Sequence, residues 1–297
     1  MRQIGRVWAV FWAIVYISVV PAEATDCANP PGWVPEDLTE LLFEHRIWAT
    51  EVLPPDPHDP RRLNLCHADL SHMDFSDVNL SHANLAITRM VGSNFEGAIL
   101  DGVKLDGAYI NDSNFEGAQL RRASFRNVEI TASRFAHANM DHGIFQNVKI
   151  DNSDFTGSRF EKALFRRTTL TDLKMQNVAL NQANFRDSLM ENIDFSGADL
   201  SQTAFVRSTM TQVNFTFANL SRANLGHIKL QDVSFKNALL YLSNLTRIDI
   251  GEEKRDHIAT FCQNLTTARD WQYSYRKKKF LCGAKILPGK HLLSGQK

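Results

Sequence analysis

The dominant pattern in this chain is an apolar residue at every fifth position. From Leu65 to Ile250 each of these positions holds Leu, Phe, Met or Ile, which makes 38 consecutive units. Two residues earlier stands a small or medium side chain, such as Ala68 or Val78, and the other three positions are mostly polar or Gly. A period of five matches neither an amphipathic helix nor a strand. It predicts a solenoid, in which no unit buries its apolar pair alone and coils must stack.

The individual units have a recognisable form. HADLS (67–71), HANLA (82–86) and RANLG (222–226) all follow A-(D/N)-L-x-x. This pattern resembles the pentapeptide-repeat family, and the resemblance covers 186 of 297 residues. It implies an all-β solenoid, a right-handed quadrilateral β-helix with short α-helical caps at both ends. Four units would form one square coil of twenty residues, so that repeats 63–250 would make about nine and a half coils.

Folding the repeats on a period of twenty sorts the inward side chains into columns. Phe falls mostly on two opposed faces, one running from Phe75 to Phe235 and the other from Phe125 to Phe205. Ser93, Ser113, Ser133 and Ser153 form a column beside the first Phe stack. We expect these small residues to leave room for the rings and to hydrogen-bond the backbone.

The ends of the repeat region need covers, because an open coil exposes apolar core and an unpaired strand edge. Residues 25–62 are predicted to form an N-terminal helical cap, with a helix from Pro35 to about Thr50, and a Pro-rich link. Leu38, Leu41 and Leu42 would cover the first coil, with Ile47 and Trp48 as further candidates. Residues 251–283 are predicted to form a C-terminal helical cap, and 284–297 a flexible tail.

The first 24 residues predict export. Arg2 and Arg6 precede a largely apolar run over 7–20, and Ala22-Glu23-Ala24 fits a signal-peptidase site, so 1–24 is interpreted as a signal peptide. A membrane span needs about 20 apolar residues, and this run is shorter, although an uncleaved anchor remains an alternative. The predicted location is therefore periplasmic or extracellular.

Four cysteines remain after residue 24, and they allow three disulfide connectivities. Cys66 lies in the first predicted coil, and Cys262 follows the last. A disulfide requires Cα atoms within about 7 Å, so a rod permits only Cys27–Cys66 and Cys262–Cys282. Free buried thiols are the alternative. The four cysteines show no spacing typical of a metal site.

Charge is distributed unevenly, although the formal net charge is +0. Residues 25–62 carry a net −5 and residues 251–297 a net +6. The run Arg276, Lys277, Lys278 and Lys279 is either a solvated helix face or a contact for an anionic surface, a membrane leaflet or an acidic polymer.

The repeat also separates outer charges onto two sides of the rod. The predicted basic face carries Arg122, Arg126, Lys162, Arg166, Arg167, Arg186, Arg207 and Arg222. The opposite side carries Asp74, Glu96, Asp112, Glu116, Asp151, Asp154, Asp172, Glu191, Asp194 and Asp232, interrupted by Arg134, Lys174 and Lys236. Either the like charges are separated by spacing and counter-ions, or the basic face binds an anionic partner.

The sequence contains no P-loop, no G-x-S-x-G and no H-E-x-x-H, so we predict no catalysis, no cofactor and no metal. The leading hypothesis is an exported scaffold that binds a protein or an anionic polymer, as a monomer or as a homodimer through the C-terminal cap. One alternative is a DNA mimic that binds a topoisomerase, as some members of the resembled family do. Another is a secreted effector or an accessory subunit of an envelope enzyme. No nucleic-acid partner is expected.

Overall fold

The computed structural model describes Cys27, residues 38–51 and residues 61–249. The predicted signal peptide, most of the segment before residue 38, the link at 52–60, the C-terminal cap and the tail lie outside these residues. The same holds for the basic run Arg276–Lys279 and for the Cys262–Cys282 pairing. Among the residues described, no helix combines the length and hydrophobicity needed to cross a bilayer.

One helix precedes twelve short strands. The helix, α1, spans Leu38–Glu51. The strands are β1 (Arg89–Val91), β2 (Tyr109–Asn111), β3 (Ser124–Arg126), β4 (Glu129–Thr131), β5 (Ile144–Gln146), β6 (Lys149–Asp151), β7 (Leu164–Arg166), β8 (Thr169–Lys174), β9 (Asn184–Arg186), β10 (Leu189–Asp194), β11 (Thr209–Asn214) and β12 (Lys229–Gln231).

The strands stack in parallel with a register of twenty residues. An eight-stranded sheet has the order β1-β2-β4-β6-β8-β10-β11-β12, and a four-stranded sheet has the order β3-β5-β7-β9. Isolated parallel bridges continue the same register from Asn64↔Asn84 to Lys229↔Asp249. The chain is therefore a parallel β-solenoid, as the five-residue period predicts. The eight strands of the larger sheet mark seven complete coil intervals, and the bridges extend the regular stacking beyond them.

The Phe columns predicted from the sequence are present as ring stacks, one continuous from Phe125 to Phe205 and the other interrupted by Met175 between Phe155 and Phe195. Phe115 and Phe135 stack with centroids 4.7 Å apart, and Phe165 and Phe185 with centroids 4.3 Å apart. These spacings follow the coil repeat, because parallel strands lie about 4.8 Å apart and carry the same side chain at the same place in each coil. Phe160 lies tilted 5.4 Å from Phe165 and so packs next to one of the stacks.

The Ser column is also confirmed. Ser93 Oγ donates to the Leu70 carbonyl at 2.9 Å, and Ser133 Oγ donates to the Thr131 carbonyl at 2.8 Å. The backbone N–H of Ser93 in turn donates to Ser113 Oγ, one coil later. Each hydroxyl of this column therefore has a backbone partner, which is what allows a polar column inside an apolar core.

Each unit turns a corner two residues after its central residue, and the backbone there has positive φ. Asn127 (φ 57) and Asn147 (φ 55) suit this left-handed conformation, whereas Ile87 (φ 58) is strained because it is β-branched. Gly157 occupies such a corner at φ +67, where an added Cβ would lie 2.7 Å from His137 Nδ1. A small residue therefore leaves space for the side chain of the preceding coil.

Helix α1 covers the first coil. Leu38 belongs to the same apolar cluster as Leu63, and Trp48 is fully buried, while Leu41 and Leu42 pack against the core more loosely. A disulfide joins Cys27 to Cys66 with a Cα–Cα distance of 5.7 Å. The segment that contains α1 is thus attached to the first coil both before and after the helix.

Candidate binding surface on the four-stranded sheet

The four-stranded sheet presents two outward rows of side chains. In each strand the central Phe points inward, so the residues on either side of it face outward. One row consists of Arg126, Gln146, Arg166 and Arg186, and the other of Ser124, Ile144, Leu164 and Asn184. Arg166 and Arg186 are direct neighbours on adjacent strands. Two cations are therefore held side by side by the backbone register alone.

The corner next to this sheet adds more charge. Arg167, Asp187 and Arg207 occupy the same corner in three successive coils, with φ between 54 and 58. The backbone N–H of Arg167 donates to the Arg186 carbonyl at 2.9 Å, which fixes the corner against the next coil. Arg166, Arg167, Arg186, Arg207 and Asp187 together form what we call the basic patch.

Asp187 is the acidic centre of the basic patch. Arg207 donates to it twice, from Nε at 2.6 Å and from the terminal nitrogen at 2.8 Å. Arg186 Nε lies 3.5 Å from the same carboxylate. The hydrogen bond from Arg207, followed by the charges of Arg207, Arg186 and Arg166, lowers the pKa of Asp187. One carboxylate therefore interacts with several guanidinium groups, and the basic patch has a net positive charge.

The residues of the predicted basic face divide into cations that form ion pairs and cations that do not. Arg126 lies 3.4 Å from Asp106, and Lys162 lies 2.8 Å from Glu161, whose pKa is lowered by that hydrogen bond. By contrast Arg122, Arg166, Arg167 and Arg222 are exposed and make no ion pair within residues 61–249. The face is thus a series of mixed pairs with a concentrated positive region near Arg166 and Arg167, not one continuous basic ladder.

Two apolar residues in the middle of the second row border the basic patch. Leu164 is 49% exposed, and Ile144 lies beside it in the same row, one coil earlier. An exposed Leu next to guanidinium groups provides a surface that can contact both the anionic groups and the apolar parts of a ligand.

The opposite side of the rod is acidic but is also internally paired. Lys174 lies 4.0 Å from Asp154, one coil earlier, and Asn214 donates to Asp194 at 2.9 Å. Acidic residues exceed basic ones there, so the two sides differ in sign of charge.

Pairing between coils is the feature that the sequence analysis missed. Arg121 and Asp101, Arg126 and Asp106, and Lys149 and Glu129 all pair across one coil. The signal that could have shown this is an acidic residue twenty positions before a basic one. Such ion pairs at an exposed surface contribute little stability, but they decide which cations remain available to a partner.

One group of potential metal ligands is present in the part of the chain that the structure describes. Cys27, Cys66 and His67 have ligand atoms within 4.8 Å of one another. Both sulfur atoms are joined to each other in the disulfide, so the thiolates that a soft metal requires are not available in this state.

Sequence comparison places the repeats in a known family. A profile described as a pentapeptide repeat region matches residues 61–135 and 103–175. A second profile, described as pentapeptide repeats in 8 copies, matches 180–216, 188–226 and 218–250. The matches span more than half of the chain, and the protein belongs to the pentapeptide-repeat family. Among curated proteins none matches the chain.

Several solved pentapeptide-repeat structures are similar to this chain. HetL, involved in heterocyst differentiation regulation in the cyanobacterium Nostoc sp., is 20% identical over 63% of this chain and 83% of its own, with a TM-score of 0.41. A trypsin-treated form of QnrB1, a plasmid-mediated fluoroquinolone resistance protein, is 16% identical over 73% and 92%, with a TM-score of 0.43. A protein of the Arabidopsis thaliana thylakoid lumen is 18% identical over 66% and 75%, with a TM-score of 0.16. At this level of similarity, the ligands and partners of these proteins are not assigned to this chain.

Proposed function

We propose that the protein is an exported, non-catalytic scaffold that binds an anionic partner, a protein or a polymer, through the basic patch. The observation that carries the proposal is the alignment of Arg166 and Arg186 on adjacent strands, with Arg167 beside them. Like charges held at coil spacing repel one another, by about 1 kcal/mol in water near 4 Å. A bound polyanion would relieve this repulsion and release counter-ions.

The test compares two triple variants with the same change in charge. Arg166, Arg167 and Arg186 are replaced by Ser in one, and Arg134, Lys174 and Lys236 in the other. Binding to immobilised heparin, used as a polyanion probe, is measured between low and high salt. We expect the first variant to lose affinity and its salt dependence to flatten, by about 0.7–0.9 in logarithmic slope for each lost contact. Equal behaviour of the two variants would remove the proposal.

Arg126 is a less informative target than the sequence suggests, because Asp106 already neutralises it and Ser124 Oγ accepts a hydrogen bond from it at 2.6 Å. An Arg126→Ser variant is therefore expected to bind heparin almost as the parent does. It provides an internal control within the same sheet.

Export is the second part of the proposal. The Cys27–Cys66 disulfide is typical of an oxidising compartment, and the apolar run over 7–20 favours secretion. Cell fractionation followed by mass measurement of the N-terminal peptide tests this. A mature chain that begins near residue 25 in the periplasm or medium supports it. A cytoplasmic chain that retains Met1 contradicts it and favours the DNA-mimic alternative.

A further inference from the structure

The contact between α1 and the first coil is the least well satisfied one in the described structure. Two buried side-chain atoms on the helix, His45 Nε2 and Trp48 Nε1, lack a hydrogen-bond partner, and the only other such atom within the described ranges is Ser71 Oγ in the first coil. Buried polar groups are nearly always hydrogen-bonded in native proteins, and one left without a partner is destabilising. Both unpaired atoms on α1 face away from water, so the helix is docked at a cost in unmade hydrogen bonds.

His45 is the residue around which this junction is built. It is 0% exposed, and its Nδ1 accepts a hydrogen bond from the backbone N–H of Leu63 at 2.9 Å. A nitrogen that accepts a hydrogen bond carries no proton, so only the neutral imidazole fits. The ring lies 5.3 Å from that of Trp48, which meets His82 edge-on at 6.4 Å.

The charged and titratable side chains that act on His45 from the solenoid, Arg62 and His82, both disfavour its protonated form. Arg61 and Arg62 lie on the chain entering the first coil, and Arg62 Nε donates to the His82 carbonyl at 2.7 Å. Burial is the main cause that lowers the pKa of His45 to about 4, the charges of Arg62 and His82 add to it, and the carbonyls of Arg61 and Ser81 oppose it. Burial and Arg62 also lower the pKa of His82, while Asp101 acts in the opposite sense.

We propose that α1 is an acid-released cap: protonation of His45 undocks the helix and uncovers the N-terminal end of the solenoid. The protonated ring would lose its hydrogen bond from Leu63 and would place a second cation near Arg62, which the carbonyls of Arg61 and Ser81 offset only in part. Since the neutral ring is preferred in the docked state, docking is at full strength above pH 6.5 and weakens as the pH falls toward 4.

The covalent structure around α1 fits a cap that opens and closes again. The helix lies between two anchors, the Cys27–Cys66 disulfide before it and Leu63 after it. A released helix therefore stays attached to the coil that it leaves, and redocking is intramolecular.

Release of α1 changes which side chains are exposed at the N-terminal end of the solenoid. Leu63, Leu65 and Leu70 of the first coil are buried in the closed state, in the same apolar cluster as Leu38 of α1. Without the helix they form an apolar end beside the first strand edge, a surface that associates with other chains when it is not covered.

Hydrogen–deuterium exchange on the mature, disulfide-intact chain tests the proposal at pH 7.5 and pH 4.5, after correction for the intrinsic rates. From the ordinary pKa of 6.5 and the docked value of about 4, the opening constant for peptides within 38–51 should rise about 70-fold. Peptides from the middle of the solenoid, around 125–205, should not change. Unchanged protection of α1 would overturn the proposal.

Variants identify the titrating group. His45→Gln retains an acceptor for the Leu63 N–H and cannot titrate here, so most of the pH effect should be lost and only the part due to His82 should remain, whereas His137→Gln, at a distant corner, should retain the full effect. If His45→Gln is already open at pH 7.5, imidazole NMR of the parent chain decides. Proton uptake by His45 must then coincide with the loss of protection, and release while His45 is still neutral would disprove the mechanism.

Discussion

Replacing Phe155 probes the ring stack on which the solenoid depends. Phe155 is 1% exposed, its ring lies 4.9 Å from Phe135 in the stack, and Phe160 packs against it at 5.7 Å. Truncating a buried Phe to Ala costs about 3–5 kcal/mol. A domain has only about 5–15 kcal/mol of stability in total. We therefore expect Phe155→Ala to lose about 4 kcal/mol, and Phe155→Glu to prevent folding because a carboxylate would be buried without a partner.

Equilibrium unfolding in urea, followed by far-ultraviolet circular dichroism, measures the loss for Phe155→Ala. Because each coil contacts only its neighbours, the defect should also be visible in hydrogen exchange as weakened protection around 135–175. Phe217 supplies the matched control, since it is 68% exposed and has φ 60. Phe217→Asn should be neutral or slightly stabilising, because Asn tolerates this backbone conformation. If Phe155→Ala and Phe217→Asn shift the unfolding midpoint equally, the stacked core is not the source of stability.

Three further predictions concern corner residues and the disulfide. Gly117 and Gly157 both have φ +67, so replacing either by Ala should cost about 1–2 kcal/mol of unfolding free energy through backbone strain. Gly157→Ala also places a Cβ against His137, so this variant should lose more than Gly117→Ala. Equal losses in urea unfolding would contradict the crowding argument, as would an excess that survives in a His137→Ser background. Ile87→Asn should raise the thermal midpoint because it relieves a β-branched residue at φ 58, and a lowered midpoint would show that the packing of Ile87 dominates. The Cys27–Cys66 bridge closes a separation of 39 residues, so the Cys27→Ser/Cys66→Ser variant should lose about 4 kcal/mol of unfolding free energy, and no loss would mean that the bridge does not constrain the unfolded chain.

The register of the solenoid could be predicted without coordinates. The period of five places the central apolar residue and the residue two before it inward in every unit, and the coil of four units, or twenty residues, is what the resemblance to the pentapeptide-repeat family implies. Phe115 above Phe95 and Ser113 above Ser93 are therefore consequences of position in the chain. A slip of one residue in the backbone ladder would turn the apolar side chains outward.

The availability of charges could not be predicted in the same way. Arg186 and Arg207 both belong to the predicted basic face, yet both share Asp187, whereas Arg167 makes no ion pair with any residue in 61–249. Which guanidinium reaches which carboxylate depends on side-chain direction across neighbouring coils. A count of charges on one face does not contain that information.

The sequence by itself determined the solenoid and which residues point inward, because a short apolar repeat is buried only when coils stack, and the resemblance to the pentapeptide-repeat family supplied the coil length. Only the tertiary structure decided that His45 is enclosed and neutral while other residues of α1 remain in water. The helix has no strong apolar stripe to set its orientation, so the side chains that it buries depend on how it crosses the end of the first coil. The same reason separates Arg166 and Arg167 from their paired neighbours, since contacts between coils depend on three-dimensional stacking and not on the five-residue unit.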